Sequence, residues 1–159
     1  MIAASDVLKN FEYKDGFLYW KTNRSGIQVG RQAGSMEKNK YYRIKFNGKK
    51  YLTHRLIFSM HHGFMPKFID HIDGNPKNNK IENLREATRI QNGQNKKVQK
   101  NNTSGIKNVT WEKSANKWRV RIAINGKIKS FGCYKNIEMA KFVATEARNK
   151  FFKEFANNN

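Results

Sequence analysis

One cysteine in 159 residues, Cys133, leaves no partner for an internal disulfide and excludes a Cys-rich zinc site. So little thiol suits a reducing compartment. Acid is scarce too: 12 Asp and Glu stand against 32 Lys and Arg, for a net charge of +20. An anionic partner is expected, and a polyphosphate such as DNA or RNA fits the excess. No stretch approaches the roughly 20 apolar residues of a membrane span, and the start of the chain lacks the basic region and apolar run of a secretory leader. The expectation is a cytoplasmic protein with no membrane partner and no disulfide-linked one. Hydrophobic residues make up 38% of the chain, too few for one large core, so two small modules are expected. What the chain does have is 13% aromatic residues spread along its length, which small folded cores need and disordered polyampholytes lack.

The first third alternates apolar and polar residues in short runs broken by turns. Phe17-Leu18-Tyr19-Trp20 is one run; Tyr41 to Phe46 and Lys49 to Leu52 flank Asn47-Gly48, a strong hairpin signal. His54 to His62 is apolar at helical spacing and stops at Gly63, with Pro66 just beyond, which predicts a short helix. Ile81 to Ala87 reads as a strand, and Thr88 with Gln91 has the capping-box arrangement that opens a helix. From Gln94 to Ser104 the composition turns to Gln, Asn, Lys and Ser, which predicts a linker.

Beyond it, Lys107 to Trp111, Lys117 to Ile124 and Lys127 to Phe131 read as a three-stranded meander turning at Asn125-Gly126. Ile137 to Phe155 places Ala140, Val143, Ala144, Ala147 and Phe151 at three- and four-residue steps, an amphipathic helix for one sheet face. Trp118, Val120, Ile122 and Ile124 share one face of the middle strand; Lys117, Arg119, Arg121 and Ala123 share the other. The basic face suits a DNA groove, with Thr110 and Ser130 beside it and small enough to admit the duplex.

The chemistry concentrates between Ile69 and Asn95. Hydrolysis of a phosphodiester needs a base for water, a cation at the phosphate and donors that hold both in line. His71 can supply the base. Asp70, its neighbour, leaves the other side of a strand and is better used as a hard-oxygen metal ligand. Asn92 can add an amide oxygen, and Asn83 is suited to accept the ring N–H of His71 and select its tautomer. Isolated His54, His61 and His62 on an apolar helix read as packing or surface residues. For an isolated Asp-His pair among asparagines, an ordinary turn is the simpler reading.

The run His54-Arg55-Leu56, Pro66, Ile69 to Asn75, Asn79, Asn83-Leu84-Arg85 and Asn92 to Asn95 resembles the ββα-metal motif of HNH endonucleases, in the phage and intron-encoded homing branch whose third letter is Asn. The resemblance implies a DNA endonuclease using one Mg²⁺ or Mn²⁺: His71 as general base, Asp70 and Asn92 at the metal, Asn83 orienting His71. Asn78-Asn79-Lys80 stands where the family often has Asp-Asn-Arg. Ser104 to Trp111, Lys117 to Val120, Phe131 to Tyr134 and the Ala-rich helix are similar to the ethylene-response-factor type DNA-binding domain of plants, also found fused to HNH nucleases in phages. It departs from the plant pattern at Ile128, where a basic residue is common.

The expected fold is α+β: N-terminal β-hairpins and a ββα-metal nuclease motif at 1–95, a linker at 96–103, and a three-stranded antiparallel sheet packed on one helix at 104–157. The expected partner is double-stranded DNA, contacted by Thr110, Lys117, Arg119, Arg121 and Ser130. A monomer is expected, with a dimer as the alternative, acting in the host cell if the gene belongs to a phage. A non-catalytic DNA-binding protein and an RNA-binding or RNA-processing protein are the competing readings.

Overall fold

The computed structural model describes residues 2–24, 26–38 and 41–158, which divide into two compact units, Met1–Thr88 and Arg89–Asn159. The first opens with helix α1 (Ala4–Asn10) and the hairpin β1 (Phe11–Lys14) and β2 (Phe17–Trp20). A three-stranded sheet follows, ordered β3 (Ser35–Met36), β4 (Tyr42–Phe46), β5 (Lys49–Leu52). Asn47 and Gly48, at φ 47° and 74°, make the two-residue turn between β4 and β5, with Phe46 paired to Lys49.

Helix α2 (Thr53–His62) ends where the sequence predicts, at Gly63 in the left-handed region (φ 76°), whose N–H closes on Ser59 O at 2.9 Å. Helix α2 buries Leu56, Ile57 and Phe58 with Phe11, Leu18, Ile44 and Phe46 in the core of this unit. Beside that core, Arg55 donates to Pro66 O (2.7 Å) and Lys67 O (3.2 Å), which fixes the chain just before β6 (Ile69–His71). Strand β7 (Leu84–Glu86) pairs antiparallel with β6. The strand expected from Ile81 begins only at Leu84, because Ile81–Asn83 forms a 3-10 turn closed by Asn83 N to Lys80 O at 2.9 Å.

The second unit begins with the short helix α3 (Arg89–Gln94) and holds the sheet β10 (Lys127–Tyr134), β9 (Lys117–Ile124), β8 (Val109–Glu112), in that order. Helix α4 (Ile137–Phe152) covers one face, burying Ala140 and Ala144 on Val109 and Val120. Asn136 caps it, accepting from Glu138 N (2.7 Å) and Met139 N (3.4 Å). Asn125 and Gly126 turn β9 into β10 with positive φ at both positions. No helix among the described residues is long and apolar enough to cross a membrane.

Candidate active site and nucleic-acid face

Strand β6 carries Asp70 and His71 in succession, so their side chains leave opposite faces. Asp70 lies directly across the ladder from Arg85 and His71 across from Leu84. Arg85 donates from Nε to Asp70 Oδ2 at 3.0 Å, and its Nη2 lies 2.9 Å from the same oxygen. Asp70 is only 4% exposed, so the guanidinium offsets much of the cost of taking that carboxylate out of water.

His71 is buried as well, and its Nε2 lies 3.0 Å from Asn79 Oδ1. Asn79, 2% exposed, sits on the loop between β6 and β7. The β1–β2 turn packs against that loop: a Cβ on Gly16, at φ 85°, would come within 2.9 Å of Lys80 N and 3.1 Å of Asn79 C, so only glycine fits there. Tyr13 braces the next step by accepting from Ile81 N at 3.1 Å. Beside the imidazole, His54 meets it edge to face with 5.0 Å between ring centroids, and Tyr41 lies 5.6 Å from His54 and 6.3 Å from His71. Burial above all, then the charges of His71 and Arg55, lowers the His54 pKa to about 3. His54 is therefore neutral at physiological pH, a ring wall behind His71.

The spacing points to Asn83 for the hydrogen bond to His71; in the structure Asn79 makes it at Nε2 and Asn83 is spent on the loop. Asn83 Oδ1 accepts from Asp73 N (3.0 Å), while Nδ2 donates to Asp73 Oδ1 (3.0 Å) and Asn78 O (2.8 Å). The 3-10 turn at Ile81–Asn83 aims that carboxamide at Asp73. Asp73 also accepts from Asn75 N (2.7 Å) and Asn78 Nδ2 (2.8 Å). Burial pushes the Asp73 carboxyl upward, but the bonds from Asn78, Asn75 and Asn83 and the charge of His71 bring it below its ordinary pKa.

Among the described residues no three of His, Cys, Asp and Glu cluster as metal ligands. A cation beside Asp70 would draw on that carboxylate's oxygen, a donor type that fits the hard ions Mg²⁺ and Mn²⁺ and not a soft one. Asn92 lies on α3, within the second unit.

In the second unit, β9 presents Arg119 across from Thr110 on β8, Lys117 across from Glu112, and Arg121 across from Ser130 on β10. Directly paired residues share a face, so Thr110, Lys117, Arg119, Arg121 and Ser130 all lie on the side away from α4. Glu112 also lies there, and Arg119 Nη1 contacts its Oε2 at 2.7 Å. Of the five expected contact residues, Lys117 and Arg119 are half-buried and the other three are exposed.

Asp70 and His71 thus lie buried on a short hairpin whose strands are joined by an asparagine-braced loop. A family model described as HNH endonuclease matches residues 51–94. Protein 3.8 of Escherichia phage T7 is 37% identical over 92 residues, covering 57% of this chain and 76% of that protein. The chain therefore carries an HNH endonuclease domain over residues 51–94. A solved structure describing DNA binding and cleavage by the HNH homing endonuclease I-HmuI is 28% identical, with a TM-score of 0.42, over 54% of this chain and 51% of the other. The chain thus spans about half the length of that enzyme.

Proposed function

We propose that this chain is a divalent-metal-dependent DNA endonuclease whose second unit grips the duplex. The observation that carries the reading is the separate anchoring of two adjacent buried groups: Asn79 holds His71 and Arg85 holds Asp70. Nuclease chemistry needs a base and a metal-binding acid side by side and independently oriented.

With the carboxamide oxygen of Asn79 facing the ring, His71 carries its proton on Nε2, and Nδ1 is the nitrogen that accepts a proton from the attacking water. His54 and Tyr41 limit rotation of that ring. Asp70 would hold Mg²⁺ or Mn²⁺, which when bound supplies positive charge at the scissile phosphate and leaving oxygen. Asn83 acts one step back, by bracing the loop that carries Asn79. Thr110, Lys117, Arg119, Arg121 and Ser130 contact the duplex from the open sheet face, the arginines reading base edges and Lys117 neutralising phosphate. One catalytic segment per chain means that a monomer nicks one strand at a time.

Supercoiled plasmid incubated with Mg²⁺, Mn²⁺ or EDTA tests the reading. Open-circular product with either ion and none in EDTA supports it; product that persists in EDTA, or no product with either ion, rejects it.

A further inference from the structure

The polar segment between α3 and β8 is tied into the second unit by backbone carbonyls. Lys107 Nζ donates to Gln94 O and Lys96 O, both at 2.6 Å, and to Asn157 O at 3.4 Å. Asn157 in turn donates from Nδ2 to Asn95 O (2.8 Å) and Asn95 Oδ1 (3.1 Å). Held this way, the segment walls a pocket of about 400 Å³ lined by Lys96, Lys97, Asn102, Lys107, Asn108 and Thr110 among others, with no carboxylate in the lining.

Two cations meet behind this pocket, with Arg148 donating to the backbone of Lys107. Arg148, 1% exposed, donates to Lys107 O (2.7 Å), Asn158 Oδ1 (2.8 Å) and Thr145 Oγ1 (3.1 Å). Every one of these acceptors, like those of Lys107, is a neutral oxygen. Burial, then the neighbouring Arg148, lowers the Lys107 pKa to about 8. Lys96 and Lys97, both exposed, add two more positive charges at the rim. Thr110 belongs to the pocket and, across from Arg119, to the open sheet face as well, so the two surfaces are continuous.

We propose that this pocket seats a backbone phosphate of nucleic acid running off the open face of the β8–β10 sheet, with Lys96 and Lys97 as its ion-pairing side chains. The inference rests on the reading of that face as the DNA surface. A phosphodiester brings negative charge to this lysine-lined pocket and lies where a strand crossing Thr110 would continue.

The full chain is titrated against a 30-bp duplex by fluorescence anisotropy between about 50 and 200 mM salt. Lys96→Gln with Lys97→Gln should lower the log–log salt slope by about one to two and weaken binding several-fold at the upper salt, with the thermal midpoint unchanged. Lys141→Gln with Lys150→Gln removes the same charge from the exposed side of α4 and should leave the slope alone. An unchanged slope in the first pair, or an equal fall in both pairs, overturns the phosphate seat. Arg119→Ala with Arg121→Ala isolates the parent reading: if this pair leaves affinity unchanged, the sheet is not the DNA surface and both ideas fall. If it weakens binding while the pocket lysines prove silent, only the phosphate seat falls.

Discussion

Arg85 grips a single oxygen of Asp70, Oδ2, through Nε at 3.0 Å and Nη2 at 2.9 Å, from the position directly opposite it across the β6–β7 ladder. Asp70 is 4% exposed and Arg85 is half-buried, so the substitution takes a positive charge away from a buried carboxylate. Arg85→Ala should cost about 3–5 kcal/mol of stability in urea unfolding, the usual penalty for breaking a buried ion pair. Arg85→Lys should lose less, since it keeps the charge but not the planar fork. A loss below about 1 kcal/mol for the alanine variant would mean that the carboxylate is solvated some other way.

Asn79 and Asn83 should separate by kinetics. Asn79→Ala removes the group at His71 Nε2 and should reduce kcat about 10–100-fold with little change in KM, as loss of an orienting partner does. Asn83→Ala loosens the loop through Asp73 and Asn78 and should lower thermal stability and kcat together. The ¹⁵N shifts of the His71 ring supply an independent check: the Nε2–H form should dominate in the wild type and lose its preference in Asn79→Ala.

Two glycines with similar backbone angles offer a controlled comparison. Gly16 (φ 85°) faces Asn79 and Lys80 at contact distance, whereas Gly48 (φ 74°) has open space around its Cβ position. Alanine at either should cost about 1–3 kcal/mol of backbone strain. Only Gly16→Ala should also cut nicking, by displacing the loop that carries Asn79. Equal activity in the two variants at a temperature where both are folded would disconnect the β1–β2 turn from catalysis.

His54 sets a pH dependence of stability. Its folded pKa is lowered to about 3 from 6.5, so between these values the unfolded chain binds the extra proton. Unfolding free energy therefore falls as pH drops through this window, by up to about 1.4 kcal/mol per pH unit, and is insensitive to His54 above it. His54→Phe should flatten that part of the curve; identical wild-type and variant curves between pH 4 and 7 would contradict the assignment.

Most of the architecture was legible because local chemistry and tertiary burial agree. Asn47-Gly48 and Asn125-Gly126 adopt the positive φ that two-residue hairpin turns need, and Gly63 stops α2. Helix α1 escapes a pattern reading because its seven residues bury one side chain, Val7, and no side chain caps its start. The strand expected from Ile81 shortens because Ile81–Asn83 closes into a 3-10 turn, with Asn83 N on Lys80 O and its side chain on Asp73 N. At the site, Asp70 and His71 stand out by type and spacing, but their partners do not. Three asparagines between 75 and 79 look alike in one dimension, and only the loop's path buries Asn79 while leaving Asn78 partly exposed. Arg85 likewise meets Asp70 through strand register, which a sequence without a known hairpin loop length does not specify.

The central claim is that His71 takes the proton from water at a metal-assisted phosphodiester cut. It is tested most directly by supercoiled-plasmid nicking with His71→Ala beside the wild type in Mg²⁺, with duplex affinity measured on the same preparations. The account predicts that the variant binds DNA within about twofold of the wild type and nicks at least about 100-fold more slowly. Wild-type nicking rates in the folded, DNA-binding variant would contradict it.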